Sequence, residues 1–192
     1  MIETPLRPAD PYARWLDVAA RLIRVAPRLT TALEVLAGFP LKRETREPDE
    51  PYELCARDAK LLDTAPGTTA VHRDGYLVSA LGGTPFRAAE VTSLVLPDRL
   101  GLSDQDREAF DNGVVPLGEL LTTAHRVTHV AYRVAGAPLD DRPALQVRGT
   151  LLLAGRPVAL VDETVLWRLV GHRASAEVPH RVTALLAGSA PW

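Results

Sequence analysis

The stretch Val147–Leu166, VRGTLLLAGRPVALVDETVL, contains two apolar runs that are joined by Gly155-Arg156. Two apolar runs around so short a polar break predict a β-hairpin, because glycine allows the positive φ that such a turn needs. This hairpin also carries charge, with Arg148 near its start and Asp162-Glu163 near its end. A charge on a buried strand is costly unless it is paired or meets a ligand. The stretch therefore predicts a sheet and hints at a binding site.

An earlier stretch, His72–Leu96, repeats the arrangement. Arg73 begins an apolar run, Gly82-Gly83 form the predicted turn, and Glu90 lies inside the second run. The arginine and the glutamate correspond in position to those of the later hairpin, although the spacings differ by a few residues. Two interpretations stay open: the hairpins share a function, or two hairpins of one sheet simply look alike.

Length and composition predict one globular domain over residues 1–192. The chain is 46% hydrophobic and 24% charged, which are ordinary proportions for a domain with a full core. The net charge is −2, so no electrostatic excess indicates a nucleic-acid partner.

No segment predicts secretion, a membrane partner or a metal site. Met1–Asp10 lacks the apolar centre of a signal peptide, and the single cysteine, Cys55, excludes an internal disulfide. No run approaches the ~18 apolar residues of a membrane span. His125 and His129 could share one face of a helix, but no nearby carboxylate completes a metal shell. We expect a cytoplasmic protein without a cofactor.

The order of predicted elements is helices first and antiparallel hairpins afterwards, with one inserted helical segment, which indicates an α+β fold. Helical spacing and capping residues predict helices over 11–26, from Thr30 or Thr31 to Gly38, over 103–112 and from 115. Alternation predicts further strands over 40–47 and 127–134. We expect 48–51 to be a loop and 167–171 to finish the strand of the second hairpin.

Four segments in order resemble the chorismate pyruvate-lyase family, whose fold is shared by effector domains of certain GntR-type regulators. The resemblance covers about three quarters of the chain. Arg28–Leu33 is similar to the family's Leu-Thr-Arg-x-Leu helix start, although Thr31 or Ala32 stands where an arginine is usual. His72–Leu96 resembles its arginine-led hairpin, and Pro116-Leu117-Gly118 matches its Pro-Leu-Gly segment. Val147–Leu166 resembles the arginine, Gly-x-Pro and glutamate that follow.

The resemblance implies a carbon–oxygen lyase of aromatic acid biosynthesis. Family members have an antiparallel sheet flanked by helices and enclose an aromatic ligand in a pocket. They remove pyruvate from chorismate and leave 4-hydroxybenzoate, without metal or cofactor. A buried arginine suits such a substrate, because it can give a carboxylate two charge-assisted hydrogen bonds.

The resemblance also implies roles for individual residues. Arg73 would bind the ring carboxylate with the backbone N–H of Leu117, and Arg148 would line the far side of the pocket. Glu163 would face the ring hydroxyl and assist proton transfer, with Asp162 as its alternative, since neighbours on a strand point to opposite faces. Leu29 and Gly118 would complete the substrate-binding residues.

A rival interpretation is a non-catalytic domain of the regulator type, which binds a small anion or an aromatic acid. Regulators of this type carry an N-terminal winged-helix domain that binds DNA, and only about 70 residues precede the first hairpin here. Those residues resemble the lyase's own N-terminal helices. We therefore expect the lyase and keep the binding domain as the alternative. A structural or partner-binding protein with a degenerate pocket is a second rival.

Overall fold

The computed structural model describes residues 11–81, 84–113, 115–121, 123–133, 142–174 and 180–188. These residues form a six-stranded antiparallel sheet in the order β1-β2-β3-β6-β5-β4. Its strands are β1 (Lys42–Glu53), β2 (Thr69–Leu81), β3 (Thr84–Val95), β4 (His125–Arg133), β5 (Pro143–Leu153) and β6 (Arg156–Leu166).

Seven helices accompany the sheet in the described part of the chain. They are α1 (Pro11–Val25), α2 (Leu29–Ala37), α3 (Ala56–Leu61), α4 (Asp104–Asp111), α5 (Leu117–Leu120), α6 (Trp167–Ala174) and α7 (His180–Leu186), and a short 3₁₀ turn covers Pro97–Arg99. The predicted α+β class with an antiparallel sheet and flanking helices is confirmed.

The hairpin predicted over Val147–Leu166 is present, but its turn lies one residue earlier than predicted. Ala154 and Gly155 have φ values of 50° and 78°, so these two residues form the turn and Arg156 begins β6. Two successive positive φ values give the turn type whose twist matches the flanking strands. The predicted turn at Gly82-Gly83 lies outside the described residues.

Two predicted boundaries differ from the structure. Residues 167–171, expected to finish a strand, belong to α6, because a short apolar run does not distinguish a strand from a buried helix by its spacing. Residues 48–51, expected to be a loop, lie within β1. β1 is an edge strand, and an edge strand tolerates proline since its outer N–H groups need no partner.

One face of the sheet carries two separate groups of helices. Helices α1, α2, α6 and α7 pack over one end of this face, against Leu77, Val147 and Val165. Helices α4 and α5 pack over the other end, against Leu151 and Val161. The strip of sheet between the two groups is where a ligand could reach the strands. The opposite face is covered in part by α3.

Gly75 lets β1 and β2 approach each other beside this strip. A Cβ atom on Gly75 would stand 2.5 Å from the backbone oxygen of Glu44, so the backbone of β1 would have to move. We expect Gly75→Ala to lower the free energy of unfolding by about 1–2 kcal/mol, as overpacking does. Urea denaturation measures this change.

Gly171→Ala is the matched control for this substitution. Gly171 lies in α6 with no atom within 4 Å of an added Cβ. Alanine is favoured over glycine inside a helix by about 1 kcal/mol, so this variant should be as stable as the parent or more stable. Equal urea midpoints for the two variants would show that β1 and β2 are not in such close contact.

Candidate functional site

A cavity of about 60 Å³ lies on the helix-bearing face, between the two groups of helices. The sheet supplies its floor, α2 supplies one wall, and the segment at the start of α5 supplies the other. Five residues predicted as site residues line this cavity: Arg73, Glu163, Leu117, Gly118 and Leu29. They come from four distant parts of the sequence, and the fold brings them together.

Arg73 is the most deeply buried cation of the site, with 2% of its surface exposed. Its Nε donates to Oδ2 of Asp49 at 2.7 Å, and its guanidinium carbon lies 4.5 Å from the ring centre of Phe110. Nη2 makes only a long contact of 3.5 Å to the Phe110 carbonyl, and Nη1 has no acceptor among the described residues. The Nη edge of Arg73 is therefore available to a ligand in the cavity.

Burial lowers the pKa of the Arg73 guanidinium, and the neighbouring Arg43 lowers it further, while Asp49 acts in the opposite direction. Arginine starts from so high a pKa that it stays protonated at neutral pH. The cavity therefore contains a permanent, largely desolvated positive charge. Such a charge favours an anionic ligand, because electrostatic attraction is strongest where water is excluded.

A second cavity-lining arginine, Arg43, was not predicted as a site residue. Its Nη2 donates to Oδ1 of Asp49 at 3.0 Å and to the carbonyl of Asp74 at 3.0 Å. Its Nη1 reaches the hydroxyl of Thr45 and the carbonyl of Gly113. A signal was present in the sequence, since alternation places Arg43 on the same face of β1 as the buried Leu41.

Arg28 connects the two walls of the cavity. It precedes the first residue of α2, and its Nη1 donates to the carbonyl of Gly118 at 2.7 Å. A Cβ atom on Gly118 would lie 3.2 Å from Cδ of Arg28, so glycine makes room for the arginine to cross. The backbone N–H groups of Leu117 and Gly118, at the start of α5, have no hydrogen-bond partner among the described residues.

The two neighbouring carboxylates of β6 lie on opposite faces. Glu163 is 7% exposed and lines the cavity, on the same face as Val161 and Val165. Asp162 points to the other face, where it accepts hydrogen bonds from Gln146 Nε2 at 3.1 Å and from Arg148. Of the two alternatives left open by the sequence, Glu163 is the one that lies at the cavity.

Arg148 does not lie with the other predicted site residues. It is directly opposite Asp162 in the β5–β6 pairing, and directly opposite residues on neighbouring strands share a face. Its Nε donates to Asp162 Oδ2 at 3.0 Å. Arg148 instead lines a cleft of about 320 Å³ on the opposite face, together with Tyr52, Arg57 and His72.

The smaller cavity is the better candidate site, although the cleft has the larger volume. In the cleft Arg148 is paired with Asp162 and is 42% exposed at its side chain, so water competes with any ligand for it. In the cavity a buried arginine and unengaged backbone N–H groups converge on one small space. Convergence of a few polar groups in an otherwise apolar cavity is typical of ligand sites.

Neither a metal-binding cluster nor a membrane-spanning helix is found among the described residues. No group of three or more His, Cys, Asp or Glu side chains among them is arranged to hold a metal ion. No helix in the described ranges is long and apolar enough to cross a membrane.

Solved structures of known proteins share this fold. No protein-family model and no curated protein matches the sequence. Among solved structures, the effector domain of PhnF from Mycobacterium smegmatis is 13% identical, with a TM-score of 0.50 over 73% of this chain and 88% of that one. The longer PhnF chain gives 12% identity and a TM-score of 0.51, again over 73% of this chain, which spans 64% of its length.

A third similar structure is the ligand-binding domain of a protein assigned to the GntR family of transcriptional regulators, from Bordetella bronchiseptica. It is 20% identical, with a TM-score of 0.45 over 65% of this chain and 84% of that one. The resemblance seen in the sequence is thus confirmed as a shared fold.

The prediction of a carbon–oxygen lyase in aromatic acid biosynthesis is wrong. The solved structure that shares the fold with a TM-score of 0.50 is an effector domain, not a lyase. The site geometry differs from the lyase expectation as well, because Arg148 lies across the sheet from Arg73 and Glu163. The two arginines that were expected to hold the two carboxylates of chorismate therefore do not face one pocket.

Proposed function

We propose that this chain, as one domain, is a non-catalytic effector-type domain that binds a small organic anion in the cavity between α2 and α5. The observation that carries the proposal is Arg73, a buried guanidinium that lines a cavity while only its Nε is firmly engaged. A buried charge without a partner on one side is costly, and a bound anion would remove that cost. The shared fold with regulator effector domains supports the same conclusion.

Each predicted site residue on the cavity then has a role in binding. The Nη edge of Arg73 would hold the anionic group of the ligand, and the backbone N–H of Leu117 would donate a further hydrogen bond. Glu163, on the floor of the cavity, would accept a hydrogen bond from a hydroxyl or amino group at the other end of the ligand. Leu29 would supply apolar contact, and Gly118 would leave room for Arg28 at the wall.

The volume limits the ligand to a small molecule. A drug-sized ligand occupies a site of about 300–1,000 Å³, and this cavity measures about 60 Å³. A short-chain acid with a distal hydroxyl fits the charges and the size best, and a single-ring acid requires the walls to move apart, because a benzene ring occupies a cavity of about 150 Å³. 4-Hydroxybutyrate and 4-hydroxybenzoate represent these two shapes.

Isothermal titration calorimetry tests the proposal with each acid beside its neutral amide. We expect at least one acid to bind to one site per chain and its amide to bind at least about tenfold more weakly, because a charge-assisted hydrogen bond is roughly twice as strong as a neutral one. Incubation with chorismate should release no pyruvate. Equal affinity for acid and amide, no binding of either acid, or turnover of chorismate would each contradict the proposal.

A further inference from the structure

We propose that Asp49 sets the charge selectivity of the cavity, so that the site prefers singly charged anions to doubly charged ones. The inference rests on the proposed function and adds to it a residue that does not itself line the cavity. Asp49 accepts hydrogen bonds from Arg43 and Arg73, which line the cavity, and itself lines a separate cleft with Phe110.

The carboxylate of Asp49 bridges these two guanidinium groups. Its Oδ1 accepts from Arg43 Nη2 at 3.0 Å, and its Oδ2 accepts from Arg73 Nε at 2.7 Å. The three side chains are largely buried, with exposed fractions of 16% for Asp49, 7% for Arg43 and 2% for Arg73. Asp49 therefore acts as an internal counter-ion in a region where water screens charges only weakly.

Two irregularities in β1 bring Asp49 to this position. Thr45 pairs with Gly75 and Glu47 with Asp74, but Glu50 already pairs with His72. Pro48 and Asp49 together therefore stand opposite Arg73 alone, which is the pattern of a β-bulge. Without the two register shifts, Asp49 would stand level with Val71 instead of Arg73. The bulges thus place one carboxylate beside the buried arginine.

Carboxylates beside the cavity arginines disfavour a second negative charge on the ligand. Arg28, Arg43 and Arg73 are opposed by two carboxylates, Glu163 and Asp49. Asp111 is a further carboxylate that interacts electrostatically with Arg73. A second negative charge on the ligand would be repelled by the Asp49 carboxylate, which already offsets part of the positive charge of Arg43 and Arg73. Loss of the Asp49 charge should therefore favour every anion, and a dianion most, because Coulomb energy scales with ligand charge.

The test compares Asp49→Asn with the parent protein by calorimetry at pH 8, with benzoate as the monoanion and phenylphosphonate as the dianion. Asparagine keeps the size of the side chain and one oxygen acceptor. We expect the variant to bind benzoate at least about threefold more tightly and phenylphosphonate at least about tenfold more tightly, because doubling the charge of the ligand doubles the Coulomb energy. For each ligand, the affinity of the variant is divided by that of the parent. Comparing these two ratios cancels the difference in shape between benzoate and phenylphosphonate.

Two further variants serve as controls. Glu50→Gln makes the same change of charge at the next residue, whose side chain is 68% exposed and faces His72, and it should leave both affinities unchanged. Asp49→Glu keeps the charge and should keep the parent's preference for the monoanion. If Asp49 only held the two arginines in place, Asp49→Glu and Asp49→Asn would both weaken anion binding, and to a similar extent. If Asp49→Asn does not fold, Asp49→Ser gives the same comparison, and melting curves identify that case.

The outcomes separate this inference from the proposed function. If the parent binds the anions and Asp49→Asn binds them equally or more weakly, Asp49 does not set selectivity and only the inference fails. An equal increase in affinity for benzoate and phenylphosphonate in Asp49→Asn would also contradict the inference. If neither the parent nor the variant binds either anion, the inference and the proposed anion site both fail.

Discussion

Arg73→Ala is expected to weaken binding of 4-hydroxybenzoate or 4-hydroxybutyrate by about 2–5 kcal/mol, the cost of removing one partner of a buried, hydrogen-bonded charge pair. The reason is that Arg73 is the buried cation with an open edge at the cavity. Titration calorimetry on the variant measures the loss.

Arg148→Ala is the matched control for Arg73→Ala. Both residues are arginines near the start of a hairpin strand, but Arg148 lines the cleft on the opposite face. We expect Arg148→Ala to bind the acid as the parent does. If Arg148→Ala loses binding and Arg73→Ala keeps it, the ligand occupies the cleft and the site is on the other face of the sheet.

Arg73→Ala should also lower the stability of the protein. Removal of an unpaired buried charge would leave the melting temperature unchanged or raise it. The structure shows instead that Arg73 is paired with Asp49 and lies over Phe110. We therefore expect Arg73→Ala without ligand to lose about 1.5–3 kcal/mol of stability, the usual contribution of a hydrogen bond to a charged group.

Glu163→Met is the second variant with a large expected effect. Methionine keeps most of the side-chain volume and removes the acceptor that a ligand hydroxyl would use. We expect 4-hydroxybenzoate to bind about 1.5–3 kcal/mol more weakly, because its hydroxyl would then be buried without a partner. Benzoate, which lacks the hydroxyl, should bind Glu163→Met at least as tightly as it binds the parent, because the variant also loses a negative charge at the cavity. Calorimetry with both acids gives the difference.

Asp162→Asn controls for the neighbouring carboxylate, which pairs with Arg148 on the other face. It should leave the difference between 4-hydroxybenzoate and benzoate unchanged. A loss of hydroxyl discrimination in Asp162→Asn, with none in Glu163→Met, would place the ligand on the face of Asp162.

Local signals in the sequence predicted much of the fold. Ser103 was predicted to cap a helix, and its hydroxyl accepts from the backbone N–H of Asp106 at 3.2 Å. Gly38 was predicted to end α2, and it adopts a left-handed φ of 81° there. Each of these helix ends depends on residues within one helical turn of each other, so a single sequence is enough to predict it. The convergence of Arg73, Leu117 and Glu163 followed from the family resemblance and not from any local pattern.

The face of Arg148 could not be predicted, because it depends on register. With the predicted turn at Gly155-Arg156, Arg148 would stand opposite Glu163 and share its face. In the structure the turn is Ala154-Gly155, and a register shift between Leu151 and Leu152 then sets Arg148 opposite Asp162. A shift of one residue moves a side chain to the other face of a sheet.

Asp49 was missed for a similar reason. Pro48 and Pro51 predict a polar loop, yet the segment pairs with β2 as an irregular edge strand. Only the register shifts of β1 bring the Asp49 carboxylate to Arg73. The composition of a segment thus predicted its polarity but not its position in the sheet.

The most direct test of the anion site is an NMR titration of ¹⁵N-labelled protein with 4-hydroxybenzoate and 4-hydroxybutyrate. The proposed site predicts saturable shifts of the backbone amide resonances of Leu117 and Gly118, with the dissociation constant that calorimetry gives. The amides of Arg57 and Leu61, at the cleft on the opposite face, should not move. Shifts at Arg57 and Leu61 with none at Leu117 and Gly118, or no saturable shift with either acid, would contradict the account.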